Sequence, residues 1–121
     1  MSKTDPNIDM DRDLKEFIRG AIESVWALEV LLLLRRNPDL GWTEKALARE
    51  LRSHDDLIRQ VLAGFLASGL AARHGDEHAY QPRSAALDEL SGRLEQAYRE
   101  RPVAVINVIA GKAGDVARRA Q

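Results

Sequence analysis

Residues 42–82, WTEKALARELRSHDDLIRQVLAGFLASGLAARHGDEHAYQP, contain the signals that decide the fold. Thr43 is a favourable helix N-cap and predicts a short helix that ends near Leu51. Over residues 53–67, apolar side chains recur every three or four positions, which predicts an amphipathic helix. Gly69 follows and favours a left-handed C-cap. The stretch therefore begins with two consecutive helices.

A two-stranded hairpin is predicted directly after Gly69. The turn signal Gly75-Asp76-Glu77 separates residues 70–74 from residues 78–81, and both short segments are compatible with strands. On the second of the two helices, Leu62 and Phe65 fall on the apolar stripe. We expect both to be buried against the first helix of the chain.

Helices are also predicted on both sides of this stretch. Apolar residues recur at helical spacing over residues 10–36, as one long helix or two in series, and Pro38 disfavours its continuation. Ser84 opens a further amphipathic helix that ends before Pro102. Because Pro102 suits a first helical position, we favour helix over strand for residues 103–110, with Val103, Ile106 and Ile109 on its apolar face.

Length and composition predict one ordinary globular domain. The chain has 121 residues, of which 45% are hydrophobic and 31% charged, and it contains no cysteine, so disulfides and thiolate sites are excluded. Residues 1–10 are expected to form a flexible polar tail without a secretory signal, and residues 11–121 a single domain with its core at 21–83. The most apolar run, residues 25–34, is too short to span a bilayer and is interrupted by Glu29. We expect a cytoplasmic protein.

The order of elements in residues 42–82 resembles the winged helix-turn-helix of bacterial transcriptional regulators, MarR-like and related families among them. Ile58 and Leu62 stand where such domains have core residues, and Gly69-Leu70 stand where the first wing strand opens. Arg52 and Ser53 depart from the pattern, which usually has a small residue and an apolar plug. The resemblance covers about a third of the chain. It implies a mainly α fold: a three-helix core and a short β-hairpin wing, with additional N- and C-terminal helices.

The resemblance also implies duplex DNA as the partner, with the helix after Ser53 as the recognition helix. Arg59 and Gln60 suit hydrogen bonding to guanine and adenine edges. Asp55 and Asp56 either accept from a cytosine amino group or stabilise the helix N-terminus. The candidate DNA-contacting residues are Lys45, Arg49, Arg52, His54, Asp55, Asp56, Arg59, Gln60 and Arg73.

Charge balance keeps a second function open. The net charge is −1, and between Thr43 and Gly69 the four basic residues are matched by four acidic ones. Such a surface is also compatible with a winged-helix module that binds a protein partner and no DNA. The flanking helices carry more apolar surface than a lone winged domain needs to cover, so we expect a homodimer. The apolar residues in question are Leu87, Leu90, Leu94, Tyr98, Val103, Ile106 and Ile109.

Other chemistry has weak support in the sequence. His74 and His78 flank the hairpin turn beside two carboxylates, but we interpret them as exposed wing residues and predict no metal and no cofactor. We interpret His54 as a turn residue rather than as a catalytic base. Trp26 and Trp42 are expected in the core. The usual catalytic constellations lack their parts, so we expect no enzyme activity and name no catalytic residue.

Overall fold

The structure, a computed structural model, describes the backbone of residues 11–119 and the side chains of residues 11–111. The predicted tail at residues 1–10 lies outside this part. The described chain is mainly helical, with six helices and one two-stranded antiparallel sheet. None of the helices in this part is long and apolar enough to cross a membrane. The elements are α1 (Arg12–Ala21), α2 (Val25–Arg36), α3 (Glu44–Leu51), α4 (Asp55–Ser68), β1 (Ala71–His74), β2 (Glu77–Tyr80), α5 (Ala85–Glu100) and α6 (Pro102–Arg119).

The elements fall into two compact units. The central unit spans Trp26–Glu89, and the terminal unit combines the described residues before Trp26 with those from Leu90 onward. The helix predicted over residues 10–36 is two helices in series, and the second ends at Arg36, before Pro38, as predicted. The single domain predicted for residues 11–121 stays a prediction.

Local caps set the helix ends in the central unit. The Thr43 hydroxyl accepts from the Ala46 N–H at 3.1 Å, which confirms Thr43 as the N-cap of α3. Ser84 caps α5 in the same way, accepting from the Leu87 N–H at 3.2 Å. The helix predicted over residues 53–67 begins two residues later than expected. His54 is its N-cap, because the imidazole Nδ1 accepts from the Leu57 N–H at 3.4 Å.

The predicted hairpin is present, and a third segment joins it. β1 and β2 pair with Ala71 opposite Tyr80 and Arg73 opposite His78. Trp42 forms a bridge with the outer edge of β2: its N–H donates to the His78 carbonyl at 2.8 Å, and the His78 N–H donates to the Trp42 carbonyl at 2.7 Å. The interpretation of His78 as an exposed wing residue was wrong. It is only 5% exposed, because the bridge draws its strand against the segment before α3.

Large apolar side chains fill the interior of the central unit. Leu62 and Phe65 are buried as predicted, whereas their packing on the first helix stays a prediction. Trp26 was wrongly expected in the core, since it is 41% exposed at the start of α2. Trp42 is half-buried. The other fully buried large residues of this unit are Leu28, Leu31, Leu32, Leu34, Leu47, Ile58 and Leu70.

A polar cluster fastens the hairpin to the helices of the central unit. The Arg35 guanidinium donates to the Tyr80 hydroxyl and to the Asp88 carboxylate, both at 3.0 Å, and lies over the Tyr80 ring. The Tyr80 hydroxyl in turn donates to Asp88. This hydrogen bond, helped by the charge of Arg35, lowers the pKa of Asp88. The cluster joins α2, β2 and the first turn of α5.

In the terminal unit, α1 packs on α6. Asp11 caps α1 by accepting from the Leu14 N–H at 3.0 Å, and it also binds the Arg93 guanidinium of α5. The Leu14 hydrogen bond and then that of Arg93 lower the pKa of Asp11. The helix predicted from Pro102 is confirmed, but its apolar face was partly misplaced. Val105 and Ile109 are buried, whereas Val103 is 68% exposed.

Two helices of the central unit end in left-handed backbone. Gly69 has φ +81°, as predicted, and its N–H donates to the Phe65 carbonyl. A Cβ added there would lie 3.0 Å from the Arg83 side chain. Arg52 has φ +55° after α3 and is the only non-glycine with positive φ among the described residues. A side chain in this conformation costs roughly 1–2 kcal/mol.

Replacing Phe65 with alanine is expected to lower the free energy of unfolding by about 3–5 kcal/mol, since it opens a cavity in the interior of the central unit. Chemical denaturation measures the loss. Gln60→Ala on the exposed side of the same helix is the control and should change stability by less than about 0.5 kcal/mol. Equal stability of the two variants would contradict the placement of Phe65.

The two left-handed positions should respond in opposite directions. Gly69→Val should destabilise the protein by about 1–3 kcal/mol, because valine is strained at positive φ. Arg52→Gly should stabilise it by about 0.5–1 kcal/mol. This net gain is the strain energy that glycine relieves, less the cost of the greater backbone entropy that glycine loses on folding. Thermal and urea denaturation measure both. A loss of stability in Arg52→Gly would show that the arginine side chain outweighs its strain.

Candidate nucleic-acid interface

Basic side chains cluster on one exposed side of α3. Lys45 and Arg49 are four residues apart, so they lie on the same side of the helix, and both are exposed. Arg52 follows at the C-terminus of α3 and is also exposed. None of the three forms an ion pair within the described part of the chain. We call these residues the α3 basic stripe.

The start of α4 carries the acidic residues. Asp55 and Asp56 both stand in its first turn, next to the N-cap His54. Carboxylates at this end of a helix are stabilised by the partial positive charge of the exposed N–H groups. His54 therefore has a structural role at the cap, and the two aspartates have a structural explanation that needs no contact with DNA.

Arg59 is held by two carboxylates. Its Nε lies 3.3 Å from Glu44 of α3, and its Nη1 lies 2.9 Å from Asp56 one turn earlier. The charge of Glu44, followed by its hydrogen bond and the contact with Asp56, raises the pKa of Arg59. Gln60, the next residue, is exposed. The predicted base-contacting arginine is thus neutralised locally, while the adjacent glutamine is accessible.

The hairpin contributes one basic side chain to the same region. Arg73 is exposed on β1, and its Nε donates to the Gly75 carbonyl at 2.7 Å, which folds the guanidinium over the turn. Arg73 and Lys45 line one cleft, together with Thr43 and His78. The structure therefore brings the start of α3 next to the predicted wing.

Sequence reasoning missed Glu44 as a member of this region. Its partner Arg59 lies 15 residues away, and only the packing of α3 against α4 brings the two side chains together. The acidic residue at the first position of α3 is explained equally well by the helix dipole, so the sequence gives no separate signal for the pair.

The hairpin histidines do not face each other. His74 is paired with Glu77 and His78 with Arg73, and the His74 Nε2 lies 3.1 Å from the Gln81 side-chain oxygen. No group of three or more potential metal ligands comes together in the residues that the structure describes.

Comparisons with protein-family models, with curated proteins and with solved structures gave no match to this chain.

Proposed function

We propose that the protein is a cytoplasmic DNA-binding transcriptional regulator with a winged helix-turn-helix in its central unit. The order α2, α3, α4, β1, β2 supports this proposal, with α4 as the recognition helix and the hairpin as the wing. The bridge between Trp42 and His78 supports it further, since it ties the hairpin to the segment that precedes α3. A helix in the major groove and a hairpin beside it suit the dimensions of duplex DNA.

The observation that carries the proposal is that the basic residues of α3 have no ion pair among the described residues, whereas Arg59 of α4 is paired. Local sums of charge cancel in the sequence, but Glu44 and Asp56 are bound to Arg59. The α3 basic stripe has no such partners among the described residues, and Arg73 adds a further exposed cation. Exposed basic side chains without ion pairs, on neighbouring elements, are the groups that neutralise DNA phosphates.

The proposal divides the work between two sets of residues. Lys45, Arg49, Arg52 and Arg73 contact phosphates and position the protein. Gln60 reads a base edge directly, whereas Arg59 does so only after leaving Glu44 and Asp56. Sequence-independent attraction is therefore expected to contribute most of the binding free energy.

A protein-binding module is the second candidate, and the outer side of α4 favours it. Arg59 is neutralised there, and the helix continues with exposed small residues, Ala63, Gly64 and Ala67. A flat surface of this kind accepts the close approach of another protein element and offers few hydrogen bonds to bases. The DNA experiment separates the two candidates.

Binding of a labelled mixed-sequence duplex should weaken steeply with salt, and neutralising one stripe residue should make that dependence shallower. We expect Arg49→Gln to weaken binding at all sequences and to reduce the slope of log affinity against log salt by about 1. Fluorescence anisotropy over a salt series measures the slope. Arg19→Gln, an exposed arginine of α1 in the terminal unit, makes the same change in net charge and serves as the control.

Equal effects of Arg49→Gln and Arg19→Gln would mean that only net charge matters and would contradict an interface on α3. Absence of any binding by the unaltered protein at roughly tens of micromolar and low salt would overturn DNA binding, because non-specific affinity is ordinarily measurable there. The protein-binding candidate would then take its place.

The proposal includes a homodimer formed through helices outside residues 42–82. Val103 supports it as a large apolar side chain exposed on α6, and Leu87, Leu90, Tyr98 and Ile106 are only half-buried on the flanking helices. Light scattering at about micromolar concentration is expected to give twice the chain mass. A monomer mass would contradict the dimer while leaving the DNA interface untouched.

A further inference from the structure

A shallow cleft opens in the central unit between the start of α3 and the hairpin. Its volume is about 360 Å³, within the size range of small-molecule sites. Three of its lining residues precede or begin α3, and three belong to the hairpin. They are Thr43, Glu44, Lys45, Arg73, Asp76 and His78.

Residues that carry hydrogen-bond donors line this cleft on both sides. In the first turn of α3, the Ala46 N–H is taken by the Thr43 hydroxyl, while the N–H groups of Glu44 and Lys45 have no acceptor within the helix. The partial positive charge of the helix start adds to the charges of Lys45 and Arg73. Such a combination suits an oxyanion.

His78 is an independent sign of a ligand. The side chain is only 5% exposed and lines the cleft, yet its Nδ1 has no hydrogen-bond partner in the described part of the protein. Buried polar atoms without partners are rare in folded proteins.

The acidic residues of the cleft do not cancel this attraction. Glu44 is bound to Arg59, which also contacts Asp56, so the charge of Glu44 is offset in part. Asp76 is exposed and carries no ion pair among the described residues, so its carboxylate is the one lining group that opposes an anion without a compensating partner. The lining therefore has a surplus of donors.

We propose that the cleft binds a small phosphate-bearing molecule, which competes with DNA for Lys45 and Arg73. The effect on DNA rests on the proposed function, whereas binding of the molecule itself does not. A phosphate of the DNA backbone has the same chemistry, so the experiment must distinguish the free ligand from the duplex.

The probe is glycerol 3-phosphate, with glycerol as the uncharged match, added to the full chain without DNA. Saturable shifts of the Glu44 and Lys45 amide resonances are expected with the phosphate alone. Arg73→Gln should weaken binding about fivefold or more, and Asp76→Asn should strengthen it about twofold. Arg49→Gln, on α3 but outside the cleft, should change it by less than about twofold.

Non-saturating shifts, or equal weakening by Arg73→Gln and Arg49→Gln, would overturn the site in favour of diffuse charge attraction. Weaker binding in Asp76→Asn would overturn the preference for an anion.

In a separate arm, glycerol 3-phosphate should displace a labelled duplex more than sodium chloride of the same ionic strength. If the duplex binds and loses affinity in Arg73→Gln but the free phosphate never saturates, the cleft serves DNA alone and the proposal is wrong. If no duplex binds but the phosphate saturates, the site stands and the DNA function fails.

Discussion

The paired backbone hydrogen bonds between Trp42 and His78 are the constraint on which the arrangement of the central unit depends. They join the residue before the α3 cap to β2 and so fix the start of α3 beside the hairpin. Gly41 makes the approach possible, because a Cβ there would come within 3.0 Å of the Glu77 Cβ and still closer to its carboxylate. Without this bridge, Lys45 and Arg73 would have no reason to line one cleft.

Helix ends were predictable from the sequence because their causes are local. The proline after Asn37, the hydroxyl of Thr43 and the glycine at position 69 each act within one turn of the chain, and the structure has ends at all three. Burial was less predictable. Trp26 and Val103 are both exposed although both are apolar, because exposure depends on which other elements pack against a side chain.

The candidate interface shows the same division between local and tertiary causes. The resemblance implies its candidate residues, and the apolar spacing of residues 53–67 predicts α4. What the sequence hides is which charges cancel, since four acids and four bases between Thr43 and Gly69 sum to zero in any arrangement. Packing of α3 against α4 pairs Arg59 with Glu44 and leaves the α3 basic stripe unpaired. A neutral sum thus coexists with three basic side chains that have no ion pair among the described residues.

Two basic residues, Lys45 and Arg73, belong both to the cleft and to the proposed DNA interface. This overlap determines how the two ligands would affect each other. Lys45 and Arg73 line the cleft, whereas Arg49 and Arg52 do not, so an anion in the cleft removes only part of the positive charge available to DNA. If both proposals hold, competition for two of the four basic residues would weaken DNA binding without abolishing it, and the effect would grow as salt is lowered. Linkage requires the converse in the same proportion: DNA on α3 must weaken the affinity of the cleft for the anion by the same factor. Under the two proposals, the charge on α3 and β1 would therefore couple the two ligands without a change in the backbone.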